Sequence, residues 1–388
     1  MKKAIIIPIY LRFNQAEELP YSERLNVAKR AIDSLNVLED QDFTLVLPVA
    51  LDLSGEVKEG TLEEANRLLR QEVRHFCNGR KTFIFSSHHL RGLRAYLAKK
   101  DFKKFSSLID LKGFSKIRNT GLLFAQALST DAAIFIDSDE VVEDPQYLSV
   151  ACEYLNEKWD GKIVHGKGGF YINSDGTILV SPKRLWWRFF WNKTKWMNQV
   201  WENILTAEDR LLPSPMLLGG NFILHQSLFR HIPFDPYIPR GEDTDYLINA
   251  SQTGFCLLFD REMKVKHLHP ERTRVYLQEE LRGDIERFLY ERKKTKEGSP
   301  IDLDPYPGYF LKWTIFPKAG LTSLFLGLDY LTKGEWDKAG QCIANISLFF
   351  RKEHDGWLNF LRFKEDWEKV ADLLDKEGMD GVLEDCWV

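Results

Sequence analysis

Apolar and polar positions along the first 140 residues follow two different periods. Residues 4–8, 43–51, 82–86 and 132–136 are short runs, apolar on both alternating faces, and read as buried strands. Between them, residues 22–38, 62–76 and 114–128 carry apolar side chains at helical spacing, as Ile117, Gly121, Phe124, Ala125 and Leu128 do. Pro8 ends the first strand, and Asp52 follows the second. This alternation predicts βαβ units and an α/β fold, an open and mainly parallel sheet flanked by helices. Ligands of such sheets bind beyond the carboxyl ends of the strands. After residue 150 the pattern changes. Residues 163–172 and 177–180 predict a hairpin around Asn173-Ser174-Asp175-Gly176, and residues 242–253 a helix closed by Gly254. A strand at 255–259, a turn at Asp260-Arg261 and a short strand at Val265-Lys266-His267 complete this part. From about 275 the chain reads as a helical C-terminal extension. The divisions are therefore 1–140, 141–274 and 275–388.

Composition narrows the function classes. The 388 residues carry a formal charge of −4, which argues against a dedicated nucleic-acid binder. Five dispersed cysteines (Cys77, Cys152, Cys256, Cys342, Cys386) form no metal or disulfide pattern and suit a reducing, cytoplasmic setting. No apolar run approaches the roughly 20 residues that span a bilayer. The apolar N-terminal stretch is too short for a signal peptide.

The chemistry concentrates where the run 132–136 ends in Asp137-Ser138-Asp139. Two carboxylates at the edge of an apolar core require a cation or water, and oxygen ligands suit Mg²⁺ or Mn²⁺ set between carboxylates and phosphates. The first turn of the preceding helix shares that edge, so Lys116, Arg118 and Asn119 are candidate phosphate-facing donors. The residues thus predict a metal-dependent enzyme acting on a nucleotide-linked substrate. Each has a plainer reading. Glu242, Asp243 and Asp245 suit the start of a helix without any catalysis. Gly219-Gly220, paired glycines that would let a bound donor approach the backbone closely, equally suit a turn; His267 suits a core or turn position, and Arg118 a surface ion pair. The aromatic and basic stretch 184–201 reads equally as an acceptor-side lid, a peripheral membrane anchor or a core wall.

Taken in order, Ile7-Pro8-Ile9-Tyr10, Asp52, Lys116-Ile117-Arg118-Asn119, Asp137-Ser138-Asp139, Gly219-Gly220-Asn221, Pro233-Phe234-Asp235, Arg240-Gly241-Glu242-Asp243-Thr244-Asp245 and Val265-Lys266-His267 resemble the glycosyltransferases of the GT-A fold. The resemblance is strongest to family 2, and the later motifs are somewhat similar to mannosylglycerate synthase, a retaining enzyme. It implies a nucleotide-sugar-binding half at 1–140 and an acceptor-binding half at 141–274. It implies that Pro8, Tyr10 and Asp52 cradle the base and that Asp137 and Asp139 bind Mg²⁺ or Mn²⁺ and the ribose-phosphate. His267 would complete the metal shell, and Asp243, or else Glu242, would act as base in an inverting reaction. The implied partners are a nucleoside-diphosphate sugar and an acceptor hydroxyl on a sugar, a small acid or a lipid-linked glycan. Peripheral membrane contact through 184–201 and a homo-oligomer through the C-terminal helices are further expectations. Two alternatives stand beside this reading. In a haloacid-dehalogenase-type phosphatase, Asp137 would attack phosphorus and Asp139 act as acid/base. The other is a non-catalytic binding protein on a transferase scaffold.

Overall fold

Eleven strands pair into one sheet, and their order sets where the candidate residues meet. The computed structural model describes residues 1–13, 21–53, 60–77, 79–181, 190–268, 277–295, 300–350, 356–379 and 384–388. In chain order the strands are β1 (Lys3–Ile6), β2 (Ile9–Phe13), β3 (Phe43–Leu53), β4 (Thr82–Ser86), β5 (Ala132–Phe135), β6 (Glu140–Val141), β7 (Lys158–Trp159), β8 (Lys162–Asn173), β9 (Leu211–Leu212), β10 (Phe222–His225) and β11 (Cys256–His267). Their spatial order is β2-β3-β1-β5-β10-β8-β11-β6, with β4 on the other side of β3. The pairs β1–β3, β1–β5, β2–β3, β3–β4 and β8–β11 are parallel. Only β10, inserted antiparallel between β5 and β8, reverses the centre of the sheet.

The helices are α1 (Glu23–Ser34), α2 (Thr61–Phe76), α3 (Leu90–Lys99), α4 (Lys103–Ser106), α5 (Phe114–Ala127), α6 (Tyr147–Cys152), α7 (Lys193–Thr206), α8 (Gln226–Phe229), α9 (Glu242–Gln252), α10 (Leu277–Lys294), α11 (Gly308–Leu311), α12 (Ile315–Thr332), α13 (Trp336–Ile346) and α14 (Gly356–Glu377). Strand alternation divides the core. Ile5, Ile7, Leu45 and Leu47 point to the face covered by α1, α2 and α6. Ala4, Ile6, Val46 and Phe85 point to the face covered by α5 and the C-terminal helices. The sheet runs without a break through both 1–140 and 141–274. The C-terminal region is bound to it as well: Trp367 Nε1 of α14 donates to the Phe229 carbonyl at 2.9 Å. No helix among the described residues is long and apolar enough to cross a membrane.

Several elements differ from the sequence reading. Pro8 separates two strands, so Ile9 and Tyr10 lie on β2, and Asp52 lies within β3. The hairpin does not form. The chain does turn at 173–176, where Asn173 N–H donates to Thr177 O at 2.8 Å. But beyond the turn the backbone of Leu179 and Val180 pairs with the Asn173 and Asn198 side chains instead of with β8. Asp260-Arg261 is not a turn but part of β11, at a register irregularity between Phe259 and Lys264. Asp260 is tolerated there because Lys167 and Arg210 engage its carboxylate at 2.7 and 3.0 Å.

Candidate active site

The start of β2 and the C-terminal ends of β3, β5 and β11 bring predicted residues together in two clusters. At the first, Pro8 is half-buried between β1 and β2. The Tyr10 hydroxyl donates to Asp52 Oδ2, and Lys112 pairs with Asp52 Oδ1. The Lys112 hydrogen bond, and then that of Tyr10, hold the Asp52 carboxyl below its ordinary range. The Tyr10 ring is 37% exposed, and the Arg24 guanidinium lies 5.5 Å from its centroid. An exposed ring beside an ionised acceptor suits a flat base with N–H donors.

The second cluster follows β5. Asp139 Oδ2 lies 3.2 Å from Nε2 of His267, at the end of β11. The β6–β11 ladder pairs Glu140 with His267, which brings the two strand ends together. Asp137 does not join them. Its Oδ1 accepts from Arg118 Nη2 at 2.7 Å. Arg118 also donates through Nη1 to the Gly219 carbonyl at 2.7 Å and through Nε to Glu242 Oε1 at 3.2 Å. Burial alone would lower the Arg118 pKa, but the Asp137 and Glu242 carboxylates outweigh it and the net shift is upward. Among the described residues no group of three or more His, Cys, Asp and Glu side chains could hold a metal ion. What the structure does offer is the Asp139–His267 pair. A carboxylate beside an imidazole fits a divalent ion that takes its other ligands from phosphate oxygens and water.

Glu242 and Asp243 have different surroundings. Glu242 is buried; burial pushes its carboxyl up, and Arg118 partly offsets this. Asp243, half-buried in the first turn of α9, accepts from the Thr244 N–H at 2.7 Å. Gly241 precedes the helix at φ +72°, and a Cβ there would lie 2.1 Å from the Arg287 guanidinium. Lys116 is half-buried on the first turn of α5. Asn119 holds the Phe234 backbone through both its amide atoms, at 2.7 and 2.8 Å. Gly219 and Gly220 have an internal reason to be glycine. A Cβ on Gly219 would lie 2.8 Å from Arg118, and one on Gly220 2.3 Å from Glu140 and 2.6 Å from Asp137.

The sequence reading assigned no role to Lys112, Glu140, Tyr171 or Arg287. Glu140 is fully buried and accepts from the Asp137 N–H at 2.9 Å. Burial, then the Asp137 charge, push its carboxyl well above its ordinary range. Tyr171 accepts from the Gly220 N–H at 2.6 Å and packs 5.0 Å from the His267 ring. The one available signal was Glu140's place in the motif, an acid next to two others.

No family model matches the sequence, and no curated protein sequence matches it. Solved structures share its chain course at low identity. One is a mannosyltransferase from Pyrobaculum calidifontis in complex with GDP-Man and Mn²⁺. It is 13% identical, covers 97% of this chain and 88% of its own, and has a TM-score of 0.46. Glucosyl-3-phosphoglycerate synthase from Mycobacterium tuberculosis, in complex with Mn²⁺ and UDP-glucose, is 13% identical over 74% of this chain and 76% of its own, with a TM-score of 0.32. GalNAc-T7 with UDP, GalNAc and Mn²⁺ is 14% identical over 80% of this chain and 53% of its own, with a TM-score of 0.40. Likeness at this level assigns no residue roles, which rest on this chain alone.

Beside His267 and Tyr171 opens a cavity of about 670 Å³. Trp191, Trp201 and Leu218 line one part of it, and Lys193, Arg240 and Asp284 another. Lys193 Nζ and Arg240 Nη1 share the Asp284 carboxylate at 2.9 and 3.2 Å. Trp191 and Trp201 are themselves buried, which favours the core-wall reading for the end of 184–201. Arg184, Trp186, Trp187, Arg188 and Phe189 lie outside the described residues.

Proposed function

We propose that this chain is a metal-dependent glycosyltransferase that moves a sugar from a nucleoside-diphosphate donor to an acceptor hydroxyl with inversion. The observation that carries this is the meeting of Asp139, in the turn after β5, with His267, which lines the 670 Å³ cavity. The donor lies along the 1–140 half, with its base on Tyr10 and Pro8 and its N–H groups toward Asp52. Asp139 and His267 hold Mg²⁺ or Mn²⁺, which supplies Lewis-acid neutralisation of the diphosphate leaving group. Arg118 fixes Asp137 so that its second oxygen accepts from the ribose, and Lys116 adds positive charge near the phosphates. The acceptor occupies the cavity beside His267, between the 141–274 half and the start of α10, where Lys193, Arg240 and Asp284 offer polar groups to its hydroxyls.

Asp243 is the base. It takes the acceptor hydroxyl proton as that oxygen bonds to the anomeric carbon and the carbon–phosphate-oxygen bond breaks. Glu242 is a positioning residue, because its carboxylate is committed to Arg118.

The test is a thermal-shift panel of UDP-, GDP-, dTDP- and ADP-sugars with and without Mn²⁺. A donor at a hundredfold excess over Kd stabilises the fold by about 2.7 kcal/mol. One nucleotide class should shift the midpoint only with metal, and Asp243→Asn should keep that shift while losing transfer about 10²- to 10⁴-fold. A folded sample that no donor shifts would remove the proposal. Unchanged turnover in Asp243→Asn would move the reaction to a retaining course.

A further inference from the structure

Away from the cavity, α12 and α13 form a helical hairpin joined by Lys333, Gly334 and Glu335. α10 covers one side of it. Tyr330 and Asn345 donate to the Gln278 side chain and carbonyl at 2.8 and 3.0 Å, and Gln278 donates to Gln341 at 3.1 Å. The other side has no partner among the described residues. Leu321, Leu324 and Leu328 of α12 are 39–44% exposed there, and Trp336 and Ile343 of α13 are 72% and 61% exposed. Spacings of three, four and seven residues keep each set on one helical face. Trp313 and Phe350, 70% and 84% exposed, stand near one end. No charged residue occurs between Lys318 and Asp329, or from Ala339 to Phe350. Gly327 brings the helices close, with its Cβ position 3.3 Å from Cys342, so the outer surface is shallow.

Cations gather at the Trp313 end. The Arg292 guanidinium lies 3.1 Å over the Trp313 ring, and Lys312 and Lys318 flank the start of α12. Lys195 sits 4.9 Å over Trp196, which stacks on Tyr309 at 4.2 Å. The exposed Lys195 and Lys312 and the half-buried Lys318 face the exposed Asp302 and Asp304 at this end, and Asp304 pairs with Lys312.

We propose that this face is a docking surface for an anionic lipid bilayer. Monomeric soluble proteins rarely expose an apolar patch two helices wide, and charge enters this one only at the α12–α13 turn, where Lys333, Glu335, Asp337 and Lys338 surround Trp336. Tryptophans at its ends and cations along one rim match the interfacial zone of a membrane and its negative surface potential. Neither helix can span the bilayer, so the hairpin lies flat in the interface. The surface adjoins the reaction cavity. Phe190 stacks on Phe325 of α12 at 6.0 Å, and the next residue, Trp191, lines the cavity. The inference stands on this surface and does not depend on the reaction proposed above.

The experiment is flotation of the full chain with vesicles of phosphatidylcholine alone or mixed with phosphatidylglycerol. The chain should float with the mixed vesicles and not with the neutral ones. The double variants Trp336→Ser/Ile343→Ser and Lys195→Glu/Lys312→Glu should each reduce the bound fraction about tenfold or more. Both alter exposed side chains, and circular dichroism should show them folded. A chain that stays unbound with both vesicle types would overturn the inference, as would equal binding to both. A dimer that Trp336→Ser/Ile343→Ser converts to monomer, with no flotation, would assign the face to a second copy instead.

Discussion

His89 is a side chain that resists its proton. Its Nδ1 accepts from the Ser86 N–H at 3.0 Å, and its ring packs 5.6 Å from Phe85. Burial, aided by the neighbouring His88 charge, pushes its pKa down to about 4. The unfolded chain titrates near 6.5, so between these values the unfolded state binds a proton that the folded state refuses. This contribution is present above about pH 6.5 and is lost as the pH falls toward 4. Between pH 7 and pH 5 it amounts to about 2 kcal/mol. The urea midpoint of the wild type should therefore fall further over that range than that of His89→Gln, and parallel curves would refute the assignment. At the same scale, residue type and position were enough to name Asp139 and His267 together, and the structure brings them to 3.2 Å. The site was not legible where the partner comes from a distant element. Nothing near Arg118 in the chain shows that Glu242 and the Gly219 carbonyl occupy two of its donors. Lys112 was equally hidden, because its partner Asp52 lies sixty positions away.

Among elements, the loop Gly219-Gly220 is tightly constrained. It passes between Arg118 and the Asp137–Glu140 turn with no room for a side chain. Gly220→Ala should destabilise the fold by about 1–3 kcal/mol through overpacking and displace Asp137. Its thermal midpoint checks this, and a midpoint equal to that of the wild type would show that the loop yields freely. The elements that one clean period describes were readable. Thr82–Ser86 forms as expected, and the helix from Phe114 ends within a residue of its expected end. Elements governed by tertiary pairing were not. The stretch 177–180 has strand-like composition, but the Asn173 and Asn198 side chains take its backbone groups, and β11 carries a buried Asp260 that reads as a turn because its cations are remote in sequence. α3 also escaped the reading, although Leu90, Leu93 and Leu97 are its buried stripe.

At the scale of the whole molecule, the C-terminal helices are part of the structure that holds the candidate base. Lys294, at the end of α10, is fully buried and pairs with Asp235 and Asp245; Asn249 and Tyr290 complete the cluster. This ties α10 to α9, which carries Asp243. Lys294→Met leaves two buried carboxylates without their cation and should destabilise the fold by about 3–5 kcal/mol. Denaturant unfolding measures this, and a loss below about 1 kcal/mol would mean the cluster is solvated. The sequence showed the helical character of the region but not this attachment, since a lysine at the end of a helix ordinarily reads as a solvated charge. The account as a whole depends on an ion held between Asp139 and His267 and a nucleotide-sugar donor. Isothermal titration of the donor class found in the panel, with and without Mn²⁺, should show metal-dependent binding to the wild type. The Asp139→Ala variant, folded by circular dichroism, should lose that metal dependence together with most of the affinity. Undiminished Mn²⁺-dependent binding by Asp139→Ala would contradict the central claim.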